Sequence, residues 1–202
     1  MLMAFTGAGI SAASGVPTFQ DQEGIRDRLT RSFAQTHPKE YQDTIDQMWR
    51  ACQAAEPNDA HRALAEYDIP IITMNVDGLH QRAGSKHVLP VHGNLSDGTI
   101  VLYGDPAPFY SEAESWVYRM QPGDIFLIIG TSYYTEISLR LKRMAYRVGA
   151  DVIEVNASAE TLVRKELEAH SDCFGSFEEF MERTEDTIIP PLNRPYGSDP
   201  LV

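Results

Sequence analysis

The stretch Leu2-Met3-Ala4-Phe5-Thr6-Gly7-Ala8-Gly9-Ile10-Ser11-Ala12 decides how the rest of the chain is read. Its first five residues are a short, almost wholly apolar run that stops at two glycines separated by one alanine. A run of that length ending in a tight turn has the pattern of a buried strand. The spacing Gly7-x-Gly9-x-x-Ala12 fits a phosphate-binding turn, in which the backbone approaches a pyrophosphate and free amides at a helix start receive its charge. An acidic residue roughly 20 positions on, at the end of the next strand, normally completes that pattern. Asp27 lies at about that distance but in a polar helical stretch, which disfavours an ordinary nicotinamide dehydrogenase.

Downstream, 25–55 reads as polar helix broken at His37-Pro38, because a proline biases its predecessor away from helix. Asn58 is placed to cap a helix running through Tyr67. Further strands are expected at 69–74, 88–91, 100–103, 125–129 and 151–155. Ser111-Glu112-Ala113-Glu114 has the form of a capping box opening a helix that Pro122-Gly123 closes. Ile137, Leu141, Met144, Ala145 and Val148 share one helical face, with Arg140, Arg143 and Arg147 opposite on what reads as a solvated stripe. A last helix starts at about Ala159. Apolar strands alternating with helices predict an α/β fold, a Rossmann-type parallel sheet covered on both faces. The expected division is one domain over 1–188, with a core at about 1–22 and 58–188 and a small helical lobe at about 23–57. The proline-rich 189–202 segment is expected to be an extended or disordered tail.

The 202 residues carry 17 Lys and Arg against 29 Asp and Glu, a net charge of −12 that argues against nucleic-acid or anionic-membrane partners. Half of that charge falls between Glu160 and Asp186, which reads as a solvated helical face. Two cysteines, Cys52 and Cys173, cannot make a four-thiolate metal site, and they suit a reducing, intracellular compartment. No apolar run approaches the ~18 residues of a membrane span, so a cytoplasmic protein is expected.

The longer string Gly7-Ala8-Gly9-Ile10-Ser11-Ala12-Ala13-Ser14-Gly15-Val16-Pro17-Thr18-Phe19 closely resembles the first signature of the sirtuins, NAD-dependent protein deacylases. Thr73-Met74-Asn75-Val76-Asp77-Gly78-Leu79-His80-Gln81-Arg82-Ala83-Gly84 resembles the second, and Val91-His92-Gly93 the third. Leu102-Tyr103-Gly104-Asp105, Gly130-Thr131-Ser132 and Asn156-Ala157-Ser158 follow in the family's order, so the resemblance covers about 2–174. It implies NAD lying across the carboxyl ends of the strands and an acylated lysine in a protein or peptide as substrate. Gly7, Ala8, Gly9, Ser11 and Ala12 would cradle the pyrophosphate, and Pro17, Thr18, Phe19 and Gln20 would belong to the loop over the nicotinamide ribose. Met74 would lie near that ribose, with Asn75 and Asp77 in the nicotinamide pocket. Gly130, Thr131, Ser132, Asn156, Ser158 and Cys173 would contact the adenosine half. Val101, Tyr103 and Gly104 would bind the acyl-lysine. His92 would be the general base that activates a ribose hydroxyl after nicotinamide leaves, passing the acyl group to ADP-ribose. An imidazole suits that step because a pKa near ~6.5 leaves it mostly neutral at pH 7 yet able to take a proton.

The same residues also have plainer readings. Asn75 and Asp77 are turn formers before Gly78, and Cys173 is a small apolar residue. His61 and His80 read as helix or loop hydrogen-bonders. The chain also departs from the family. The six residues 94–99 contain no cysteine, so the four-cysteine zinc ribbon that most sirtuins carry there is absent. Gln20 replaces an arginine, Met74 a glutamine, Tyr103 a phenylalanine and Ser158 an acidic residue. Losing one wall of the peptide cleft should leave it more open. No Tyr-x-x-Arg pair stands near Met48 and Trp49, so an acetyl or longer apolar acyl group is expected over a dicarboxylic one. An NAD glycohydrolase, an ADP-ribosyltransferase and a non-catalytic sensor of NAD or ADP-ribose are the competing readings.

Overall fold

Five parallel strands, β1 (Leu2–Thr6), β2 (Ile71–Thr73), β3 (Val88–Pro90), β4 (Ile125–Ile129) and β5 (Asp151–Val155), form one sheet in the order β3-β2-β1-β4-β5. The computed structural model describes residues 1–18, 24–156 and 158–183; Phe19, Gln20 and the 189–202 segment lie outside them. The helices are α1 (Ile25–Arg28), α2 (Arg31–Thr36), α3 (Pro38–Ala54), α4 (Asp59–Glu66), α5 (Leu79–Ala83), α6 (Tyr110–Tyr118), α7 (Glu136–Val148), α8 (Ala159–Ala169) and α9 (Phe177–Met181). A 3-10 helix, Ala8–Ser14, follows β1. Among the described residues no helix is long and apolar enough to cross a membrane.

Every residue of β1 and β4 is buried, because helices cover both faces of the sheet and each strand residue meets one cover or the other. Met3, Phe5, Phe126 and Ile128 face one way, against Trp116 and Val117 of α6 and Leu141 and Met144 of α7. Leu2, Ala4, Ile125 and Leu127 face the other way, against Leu64 of α4 and Val163 and Leu167 of α8. Burying side chains of this size is worth about 2 kcal/mol each, so these two layers carry most of the fold's stability. The Phe5 and Phe126 rings stack across the β1–β4 pair at 5.9 Å.

Local chemistry starts the helices where the sequence suggests. Asn58 accepts from the Ala60 and His61 amides at the start of α4, and Pro38 opens α3 after the break at His37. Two expectations need correction. Residues 100–103 are not a sheet strand: Tyr103 makes a single parallel bridge to Thr30, and Ile100 and Leu102 pack with Ile25, Leu29 and Met48 of the helical lobe. Burial against that lobe has captured the segment. The helix expected from Ser111 starts one residue earlier, where the Tyr110 amide donates to Ala107 O (3.3 Å), and it has no side-chain cap. Ser111 therefore sits inside the first turn and not at the cap.

Candidate active site

The chain leaves β1 and β4 in register, Thr6 opposite Ile129, and the two following loops diverge to opposite faces of the sheet. In an open α/β sheet such a divergence leaves a crevice outside the carboxyl ends of the strands. Here it is a cavity of about 370 Å³, walled by the turn after β1, the loop after β4 and the helical lobe. The lobe is tied down by a bidentate Arg31–Asp105 pair at 2.8 and 2.5 Å. A second cavity of about 100 Å³ adjoins it, sharing Ala8, Thr18, Met48, Asn75 and Val76.

The glycines of the first turn act chiefly on their own protein. The Gly9 amide donates to Gly130 O at 2.9 Å, and a Cβ on Gly9 would sit 2.7 Å from Gly130 Cα. Gly130 has φ +62°, and a Cβ there would reach 2.3 Å from the Ile10 amide nitrogen. The two loops meet backbone to backbone, and that close approach forms the cavity floor.

Beneath the floor lies a hydrogen-bonded cluster. Buried Ser11 donates through Oγ to Asp77 Oδ2 (2.7 Å) and accepts from Asn75 Nδ2 (3.2 Å), which also donates to Gly7 O (3.1 Å). The Leu79 amide holds Asp77 Oδ1 at 2.9 Å. Burial pushes the Asp77 carboxyl above its ordinary range, opposed by the Leu79 amide and the Ser11 hydroxyl. Asn75 opens into both cavities and Asp77 into the smaller one.

His92, two residues past β3, lines the larger cavity. Its Nδ1 is 3.2 Å from Met74 O, and a carbonyl only accepts, so Nδ1 carries the proton and Nε2 the lone pair. The Tyr110 hydroxyl stands 2.8 Å from Nε2. Burial lowers the His92 pKa below 6.5, with the Met74 carbonyl acting the other way. His61 and His80, read from the sequence as helix or loop hydrogen-bonders, lie on α4 and α5. Each is buried, with His61 against Asn58 (3.0 Å) and His80 against Thr6 (2.9 Å).

Of the other residues singled out, Gly7, Ala8, Gly9, Thr18, Met74 and Tyr103 line the larger cavity, as do Gly130, Thr131, Ser132 and Asn156. Pro17 lines the smaller one. Ala12 is exposed on the 3-10 helix, Val101 and Gly104 lie near Tyr103 in sequence but line neither of these two cavities, and Ser158 precedes α8 at φ +53°. Cys173 is a correction. Its Sγ lies 3.9 Å from Gly123 O, before β4 begins, and Phe174 packs on Tyr67 at 5.4 Å. That is the opposite end of a strand roughly 16 Å long, so Cys173 stands away from the cavity and packs beside the apolar layer of Leu2 and Leu127.

Sequence reasoning missed Arg26, Tyr110 and Tyr134. Arg26 is the cavity's one lysine or arginine among the described residues; its buried Nε has no hydrogen-bond partner, and its guanidinium lies 4.2 Å over the Tyr134 ring. No local pattern marked it, because only the folding back of the lobe brings α1 to the cavity. Among the described residues no group of three or more His, Cys, Asp or Glu is arranged to hold a metal.

The Sir2 family model matches residues 7–99. An NAD-dependent protein deacylase of Aquifex aeolicus is 30% identical over 241 aligned positions, covering 98% of this chain and 97% of its own. An NAD-dependent protein deacetylase of Bacillus cereus is 32% identical over 75% of this chain and 80% of its own. Among solved structures, a Sir2 homologue–NAD complex superposes with a TM-score of 0.76 over 86% of this chain and 90% of that one, at 22% identity. A Sir2–p53 peptide–NAD+ structure gives 0.73 over 85% and 94%, at 24% identity. The strand order, the cavity between the β1 and β4 loops and these matches along nearly the whole length lead to one conclusion: the chain belongs to the Sir2 family.

Proposed function

We propose that the protein is an NAD-dependent protein-lysine deacylase with His92 as its general base. The observation that carries this reading is His92 itself, a neutral imidazole with its lone pair on Nε2, in the wall of the cavity that the fold builds for a dinucleotide.

The residues present suit NAD. Arg26 brings a guanidinium to the cavity lining, a partner for a phosphate, and Ser132 and Asn156 are polar groups along the same wall. Asn75 and Asp77 meet at the smaller cavity, where Asp77 is positioned to take a carboxamide N–H. Bound there, NAD supplies a ribose carbon with nicotinamide as leaving group, together with the ribose hydroxyls that receive the acyl group. The apolar side chains of Ile100, Leu102 and Met48 and the exposed ring of Tyr103 offer a lining for an acyl-lysine stem. His92 draws a proton from a hydroxyl in this cavity. Burial lowers its pKa, which favours the neutral imidazole that can take a proton.

The same reading takes 1–188 as one domain with the 23–57 lobe as its smaller part. It is a zinc-independent enzyme, since the 94–99 connection has no cysteine. Its cysteines are both free, which accords with a cytoplasmic site of action.

The test is nicotinamide release from NAD by mass spectrometry, with and without acyl-lysine peptides. Release should require peptide and yield O-acyl-ADP-ribose. His92→Ala should lower acyl transfer at least ~100-fold, the usual worth of a general base. Peptide-independent release, or an unaffected His92→Ala variant, would overturn the reading.

A further inference from the structure

Both ring nitrogens of His92 are taken by the protein. Nδ1–H donates to Met74 O at 3.2 Å, which leaves Nε2 as the acceptor, and on Nε2 sits the Tyr110 hydroxyl at 2.8 Å. A neutral imidazole has one in-plane lone pair, so this hydroxyl stands where an incoming proton must arrive. We propose that Tyr110 is the proton's carrier: a hydroxyl in the cavity gives its proton to Tyr110 Oη as Oη gives its own to His92 Nε2. The proposal rests on the deacylase reading, in which His92 is the base.

The step balances. One O–H bond breaks at the cavity hydroxyl and one forms at Oη; the original Oη–H bond breaks and an Nε2–H bond forms. Tyr110 begins and ends neutral, and the positive charge finishes on His92. The afterstate is favourable, because Nε2–H then donates to Oη as a charge-assisted bond. Burial raises the Tyr110 phenol pKa, helped by Tyr103 and Glu136. Tyr110 thus stays a neutral phenol, and the concerted route needs no phenolate.

Placement supports the role. Tyr110 is the first residue of α6, its amide bonded to Ala107 O (3.3 Å) and its side chain packed on the apolar layer of Phe5 and Phe126, with its ring 5.9 Å from the His92 ring. Tyr103, whose neighbouring phenol helps to raise that of Tyr110, lines the cavity. The hydroxyl thus stands on the one free lone pair of a histidine that lines the cavity.

The experiment compares wild type, Tyr110→Phe and His92→Ala in two reactions: exchange of labelled nicotinamide into NAD with acyl-lysine peptide, which precedes the base's step, and formation of O-acyl-ADP-ribose. Tyr110→Phe should lose about 100-fold in acyl transfer, as His92→Ala does, while exchange stays near wild type. A readout without cofactor comes from 15N NMR of the free protein. Loss of the hydroxyl should move the His92 Nε2 resonance towards that of an unbonded lone pair, with no change in melting temperature. Equal acyl transfer by Tyr110→Phe and wild type, or an unmoved Nε2 resonance, overturns the proposal alone. Wild type that forms no acyl product with any peptide overturns the deacylase reading, and this proposal with it. If Tyr110→Phe misfolds, a fluorinated tyrosine at 110 keeps the hydroxyl and lowers its pKa. It should change acyl transfer and leave exchange unaltered; no change in either overturns the relay.

Discussion

At the scale of single residues, the site depends on who satisfies whom. Ser11 shows this: one hydroxyl donates to Asp77 and accepts from Asn75, so the two residues expected in the nicotinamide pocket are positioned by a third that lies outside it. Arg26 is the converse, a cation whose buried Nε has no partner among the described residues. Arg26→Ala should weaken ADP-ribose binding about tenfold, or ~1.4 kcal/mol, the scale of one charge-assisted bond. Isothermal titration measures it, and an unchanged affinity would show that the guanidinium serves only the Tyr134 stack. His92, Asn75 and Asp77 could be named from sequence because a signature string contains them. Arg26 and Tyr110 could not, since each reaches the site from an element whose approach is tertiary.

At the scale of elements, the meeting of the β1 and β4 loops organises the site. Gly9 and Gly130 are in contact through backbone atoms, and Gly130 holds a left-handed conformation with no room for a side chain. Gly130→Ala should cost about 3 kcal/mol, combining backbone strain with forced separation of the loops. Urea denaturation would show it, and ADP-ribose binding should fall with it because the cavity floor opens. A stable variant with intact binding would mean that the loops can part without consequence. Strands β1 and β4 were readable because uninterrupted apolar runs between turn residues have few alternatives in a parallel sheet. The 100–103 segment is equally apolar, yet it packs on the helical lobe; a short apolar run records that it must be buried, not which surface buries it.

At the scale of the whole molecule, two buried neutral histidines couple folding to pH. His61 and His80 lie beneath the sheet's carboxyl end with rings 4.9 Å apart, and burial pushes His61 from 6.5 down to about 4 and His80 well below its ordinary value. The unfolded chain binds their protons from about pH 6.5 downward while the folded chain refuses them, so stability rises with pH in that window. It is fully present above ~6.5 and is lost towards pH 4, with His61 alone accounting for about 3 kcal/mol. Asp77, raised by burial, acts in the opposite sense. Urea midpoints at pH 7.5 and 5 would check this: a clear drop at pH 5 is expected, and equal midpoints would exclude the coupling.

The sequence by itself determined the class of fold, the order of strands and helices along the chain and the strings that bear His92, Asn75 and Asp77. Those features are written in local periodicity, in turn chemistry and in residues adjacent along the chain. Tertiary structure alone decided that Gly9 meets Gly130, that Tyr110 caps the base, that Arg26 enters the cavity and that Cys173 stands at the far end of the sheet. Each of those is a contact between segments tens of residues apart, set by which apolar surface buries which. No window of sequence holds both partners.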